Sequence, residues 1–267
     1  MGEGSTSGEE ARMAKVSAYI LTYNEEDKIE AALKTLGWAD EIVVADSFST
    51  DRTVEIAKRY TDRIVQIPFQ GFGRLRNDAV AHCSHEWIFS LDADERCTRE
   101  ARDEILATIR DPSAADAYLV PRRNWFMGRW IRHSGWYPDY RQPQLFRKGK
   151  LRYKEDPVHE GYVLDGTLRA LKSAIRQIPF RNLSQSIQKM ERYSTLGARK
   201  LQEKGVRGGM AKALFRGFWA FLRHYVFHLG FLDGWPGFVI AFAYFEQTFY
   251  KYAKLAEMRN AWSGEPP

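Results

Sequence analysis

Cysteine is scarce. Only Cys83 and Cys97 are present, too few for a disulfide framework or a zinc site, and a reducing compartment is the simpler expectation. Long apolar runs are missing too. No stretch reaches 18 uncharged apolar residues, which argues against a transmembrane helix. There is no internal repeat, no N-terminal secretory signal and no glycine-rich P-loop of the kind a nucleotidyltransferase could use. A helix-turn-helix, a zinc finger and an aromatic sheet motif are equally absent, so the formal charge of +6 does not make this a nucleic-acid binder. The charge does ask for an anionic partner, and nucleotide phosphates or an anionic membrane both qualify.

What is present is organised around Trp87-Ile88-Phe89-Ser90-Leu91-Asp92-Ala93-Asp94-Glu95. The apolar run reads as a buried strand of an α/β sheet, and it ends abruptly in two carboxylates. Ligands of such sheets bind beyond the carboxyl ends of the strands. Asp92 and Asp94 would lie there with oxygens suited to Mg²⁺ or Mn²⁺. The same Asp-x-Asp spacing also suits a helix N-cap turn.

Upstream, Val16–Leu21, Glu41–Ala45 and Arg63–Ile67 read as strands. Asp27–Leu36, Thr53–Tyr60, a stretch through Ala81 and Thr98–Ile109 have helical spacing. Alternating strands and helices of this length predict right-handed βαβ units and an open, largely parallel sheet.

Beyond Ala117 the texture changes. Residues 122–141 are dense in Arg, Trp and Tyr, poor core material but suited to a binding surface. Gln144–Phe146, Val158–Glu160 and Leu168–Leu171 read as short strands, expected to be antiparallel. From Ser184 the pattern is helical. Between Ile187 and His228 nine Lys/Arg stand against two acids, a net +7, mixed with Phe215, Phe218, Trp219, Phe221 and Phe227.

Several strand-end loops carry polar groups that could meet at one edge. They are Thr22/Asn24/Glu25, Asp46/Ser47, Arg76/Asn77 and Asp92/Asp94. The set resembles the family 2 glycosyltransferases, which have the GT-A fold, in Leu21–Glu25, Val44–Asp51, Gly71-Phe72-Gly73 with Arg76-Asn77, and Leu91–Glu95. Gly135–Asp139, Gln144–Arg147, Val158-His159-Glu160, Arg192-Tyr193-Ser194 and Gly230–Trp235 look like the lipopolysaccharide-core β-1,4-glucosyltransferase branch. The resemblance covers about Lys15 to Leu255, in motif order.

That resemblance implies a bacterial enzyme with a nucleotide-sugar donor, a UDP-sugar most often, and an inverting single displacement onto a glycolipid or saccharide acceptor. It implies a divalent cation, Mg²⁺ or Mn²⁺, at Asp94 with Asp92 beside the ribose. Asp46 would meet the uracil imide. Thr22, Asn24, Glu25 and Ser47 would line the nucleoside pocket, with Arg76 and Asn77 toward base or diphosphate and Ala93 in the acidic turn. The acceptor's base would be Glu160, or alternatively Asp139. Without that role, Glu160 is a surface carboxylate and Asp139 a turn residue after Pro138. The branch usually carries a histidine metal ligand where this chain has Gln177, whose amide oxygen would ligate Mn²⁺ less strongly. A degenerate scaffold that binds nucleotide or membrane without transfer is the alternative this departure keeps open.

The expected organisation is a flexible leader over 1–13, a GT-A catalytic domain over 14–183 and a basic helical region over 184–267. That last region is expected to lie on an anionic membrane surface or to form a homodimer interface. The corresponding location is cytoplasmic, peripheral at the inner face of the cytoplasmic membrane.

Overall fold

The computed structural model describes residues 14–155 and 161–260. The described chain divides into two compact units. The first takes in the chain up to Pro121 together with Tyr140–Arg176; the second takes Arg122–Asp139 and the chain from Gln177 on.

In chain order the first unit runs β1 (Val16–Thr22), α1 (Ile29–Leu33), β2 (Glu41–Asp46), α2 (Thr53–Ala57), β3 (Ile64–Gln66), α3 (Phe72–Ala81) and β4 (Trp87–Asp92). It continues with β5 (Glu95–Arg96), α4 (Arg99–Arg110) and β6 (Ala117–Leu119). The hairpin β7 (Arg122–Phe126) and β8 (Arg129–Trp130) belongs to the second unit. The chain then re-enters the first with β9 (Leu145–Arg147), β10 (Leu151–Tyr153), β11 (Tyr162–Leu164) and β12 (Leu168–Ala170), and β13 (Ile175–Gln177) ends at the division.

Seven strands form one sheet in the order β12-β6-β9-β4-β1-β2-β3. β1 is buried along its whole length and alternates its side chains between two cores. Val16, Ala18 and Ile20 join Ile29 and Leu33 of α1 and Ile105 and Ile109 of α4. Tyr19 and Leu21 join Leu75 and Ala79 of α3 on the other face. Such double burial makes β1, β2 and β4 read as near-continuous apolar runs. Each fully buried Leu, Ile or Phe contributes roughly 1.5–3 kcal/mol, to be set against the entropy of ordering the chain. Thr98 caps α4 by accepting from the Ala101 N–H at 3.1 Å.

β1 is parallel to β2 and β4, and β2 to β3. β9 is antiparallel to both β4 and β6, as expected of that stretch. β12 is not: it runs parallel to β6. All three residues of β12 are exposed, so its sequence carries no alternation that could have fixed its direction. The expected strand at 158–160 lies outside the described residues.

The second unit is wider than the helical region expected over 184–267, because it also holds 122–139 and the chain from Gln177. Its helices are α5 (Leu183–Glu203), α6 (Met210–Leu222) and α7 (Trp235–Asn260), with a π turn over Arg223–Phe227 and a 3-10 turn over Gly230–Asp233 between the last two. Among the described residues no helix is long and apolar enough to cross a membrane.

Candidate active site

Parallel register brings three polar side chains to one edge of the sheet. Thr22 is opposite Asp46, and Leu21 is opposite Asp92. The loops that follow β1 and β2 then bind one another. The Ser47 N–H donates to the Thr22 carbonyl at 2.9 Å. The Asn24 N–H donates to Ser49 Oγ at 2.9 Å, and the Thr50 N–H to Asn24 Oδ1 at 2.8 Å. Further along, the Glu25 N–H donates to Thr53 Oγ1 at 2.8 Å and the Glu26 N–H to Asp51 Oδ2 at 3.1 Å. Two sequence motifs 25 or so residues apart are thus one paired structure.

Asp46 is the clasp of that pair. It has no exposed surface. Its Oδ1 accepts from Thr22 Oγ1 at 2.9 Å and from Ser49 Oγ, and its Oδ2 from the Ser49 N–H at 2.9 Å. The carboxylate expected at the uracil thus also ties its own loop to the end of β1. Ser47 Oγ, by contrast, is buried with no hydrogen-bond partner among the described residues, and Asn24 is exposed. Glu25 is half-buried and pairs with Lys28 at 3.2 Å.

Pairing of the loops also sets the backbone of Tyr23 across from that of Phe48, since each lies between two residues that are bonded across the gap. Tyr23 is 61% and Phe48 57% exposed. Phe48 holds φ at 61°, a left-handed conformation that a bulky side chain adopts at a cost of roughly 1–3 kcal/mol. Neither ring stood out in the sequence as a site residue. An aromatic at the centre of a Ser-Phe-Ser turn, where glycine is easier, was the signal available.

β4 delivers the acidic turn. Arg76 of α3 is buried, and its Nη2 lies 3.1 Å from Asp92 Oδ1 while its Nη1 donates to Ser90 Oγ at 3.0 Å. Burial disfavours the guanidinium charge, but Asp92 beside it holds the group well above its ordinary value. Glu95, fully buried, accepts from the Asp92 N–H at 3.0 Å and from Gln144 Nε2 at 2.9 Å. The third acid of the motif therefore shapes the turn, and Gln144 was not foreseen in that role. Ala93 packs its methyl into the core, so only its backbone can face a ligand. Asp94 is half-buried. Arg96 neighbours it: burial lowers the Arg96 pKa, against the pull of Asp94, Glu95 and Glu25.

Asn77 has a structural task within the fold. Its amide exchanges two hydrogen bonds with the backbone of Tyr153, each 2.9 Å, as a strand would. The same contact explains Gly73, where a Cβ would fall 1.9 Å from the Lys154 carbonyl oxygen.

Asp139 and Gln177 belong to the second unit. Asp139 is half-buried; its Oδ2 accepts from Asn124 Nδ2 at 3.2 Å and its carbonyl from the Arg122 N–H at 3.2 Å. Gln177 is buried at the end of β13. Glu160 and His159 lie outside the described residues. Asp233, in the Gly230–Trp235 motif, is buried and collects the N–H groups of Arg132 and His133, His133 Nδ1 and Ser134 Oγ at 2.9–3.1 Å. It fixes the loop that leads to Asp139.

The donor set of the acidic turn suits a hard cation. Two carboxylates are what Mg²⁺ commonly takes from a protein when substrate phosphates supply further oxygens. Among the described residues no group of three or more His, Cys, Asp or Glu could hold a metal ion.

A mostly parallel α/β sheet whose strand ends carry an Asp-Ala-Asp turn and a pair of interlocked loops has the GT-A plan. The pattern described as glycosyl transferase family 2 matches residues 17–178. The lipopolysaccharide core biosynthesis glycosyltransferase LpsC of Rhizobium meliloti (strain 1021) is 30% identical over 94% of this chain and 95% of its own. An uncharacterized glycosyltransferase of Rickettsia typhi is 26% identical over 92% and 88%. Among solved structures, S. aureus TarS 1–349 in complex with UDP-GlcNAc is 16% identical with a TM-score of 0.49, covering 93% of this chain and 92% of that one. The chain belongs to glycosyl transferase family 2, and it is a glycosyltransferase.

Proposed function

We propose that the chain transfers a hexose from a UDP-sugar to a hydroxyl of a glycolipid or lipopolysaccharide-core acceptor, with inversion, and that it works peripherally at the inner face of a cytoplasmic membrane. The observation that carries the donor half is the single edge on which the paired loops and the Asp92-Ala93-Asp94 turn meet. The name of the Rhizobium meliloti relative supports the acceptor class.

On this reading the nucleoside lies against the loop pair. The exposed rings of Tyr23 and Phe48 offer stacking faces, Asn24 offers a hydrogen-bonding group, and Ser47 lies in the loop beside them. Asp46 and Thr22 hold the two loops together beneath it. Asp94 and Asp92 would hold the divalent ion, and the ion would offset the charge that develops on the departing diphosphate. Arg76 holds Asp92 in place.

Glu160 takes the proton of the acceptor hydroxyl, whose oxygen forms a bond to the anomeric carbon from the face opposite UDP. The bond from that carbon to the diphosphate oxygen breaks, and its electron pair leaves with UDP. Asp139 is the alternative base, although its existing bond to Asn124 favours a structural part for it. The test compares Glu160→Gln with Asp139→Asn for UDP binding and for turnover. Glu160→Gln is expected to retain UDP binding and lose turnover. Full turnover in Glu160→Gln would move the base to Asp139.

A further inference from the structure

The second unit is built inside out. Its apolar cluster consists of Phe126, Ile131 and Ile240, with a few partly buried neighbours. Far more apolar surface points outward. In α6 the buried residues are Ala213 and Gly217, and a Cβ on Gly217 would meet the Phe245 ring of α7 at 3.1 Å. The small residues thus seat α6 on α7, and the large ones face solvent. Phe215 is 71% exposed, Phe227 64% and Trp235 78%, with Phe218, Trp219 and Leu232 exposed as well. The rings run on from one element to the next: Trp219 is 5.6 Å from Phe227, and Trp235 is 5.9 Å from Phe238. An apolar surface this continuous marks a binding face, not the scattered exposure usual on soluble proteins.

Charge says what covers it. Residues 204–245 contain five Lys/Arg (204, 207, 212, 216, 223) and one acid, Asp233. Asp233 is buried, with its carboxylate engaged by Arg132, His133 and Ser134. Arg216 and Arg223 are exposed among the aromatics. Two copies meeting through this face would bury Arg216 and Arg223 of each with no exposed acid of residues 204–245 to pair with, whereas an anionic lipid surface complements both the charge and the rings. We infer that the face formed by α6, the two short turns and the start of α7 docks on an anionic lipid leaflet, with Phe215, Phe218, Trp219, Phe227 and Trp235 entering the headgroup region and Arg216 and Arg223 pairing with lipid phosphates. This deepens the peripheral-membrane reading above. It locates the contact in residues that take no part in the donor site.

Flotation of the full chain with vesicles of 70:30 phosphatidylcholine:phosphatidylglycerol, and with phosphatidylcholine alone, tests it. The chain floats with the anionic vesicles and much less with the neutral ones. Phe215→Ser/Phe218→Ser/Trp235→Ser and, separately, Arg216→Glu/Arg223→Glu each lower the bound-to-free ratio about tenfold or more, since each charge near such a surface is worth about 1 kcal/mol. Helical circular dichroism and cooperative thermal melting stay unchanged in both variants, which shows them folded whether or not UDP binds, and keeps this test separate from that of the donor site. Equal flotation of all three proteins would overturn the inference. So would a wild-type dimer in buffer that the triple-Ser variant turns into a monomer.

Discussion

Arg76 Nη2 lies 3.1 Å from Asp92 Oδ1, a buried cation set against the first acid of the Asp-Ala-Asp turn. Asp92 thereby has a structural partner inside the fold, while Asp94 lies further along the turn, half-buried beside Arg96. The two acids should respond differently to substitution. Asp92→Ala leaves the Arg76 charge buried without its partner and is expected to cost about 3 kcal/mol of stability. Asp94→Ala is expected to abolish transfer. Thermal melting alongside a UDP-release assay checks both, and an Asp92→Ala variant as stable as wild type, or full transfer by Asp94→Ala, would contradict these roles.

Phe48 holds a strained backbone to present an exposed ring. Phe48→Gly relieves the strain, offsetting the entropy glycine adds to the unfolded chain, so stability is expected to hold or rise slightly. Loss of base stacking should weaken UDP binding by about 1–3 kcal/mol. An affinity equal to wild type would remove Phe48 from the nucleoside site.

Asp233 joins two segments a hundred residues apart. Asp233→Ala leaves the N–H groups of Arg132 and His133 and the Ser134 hydroxyl without their acceptor, at about 1–3 kcal/mol for each group that stays buried. Hydrogen exchange at the Arg132 and His133 amides is expected to quicken, with no change at Asn24, Glu25 or Thr50 in the paired loops. Unaltered exchange at 132 and 133 would show that the loop is held by other contacts.

Apolar runs made β1, β2 and β4 legible, because strands buried on both faces leave little freedom in residue type. The sheet edge was legible for the same reason: Thr22, Asp46 and Asp92 follow directly from where those runs stop. Partnership across sequence was not. Asp46 also accepts from Thr22 and Ser49 of the paired loops, and the Asn77 amide also bonds the Tyr153 backbone, contacts that nothing in the sequence pattern announces. Spacing along the chain cannot show which of two polar groups the fold itself consumes. The hairpin at 122–130 was hidden for a related reason, since an Arg- and Trp-rich sequence lacks the alternation that marks a half-buried strand.

The most direct test of the donor site is calorimetric titration of UDP, with Mn²⁺ and then with EDTA, against CDP and GDP. The account predicts binding selective for UDP and weakened by EDTA. Binding by none of the three nucleotides would contradict it and leave a scaffold that has kept the fold without the transfer.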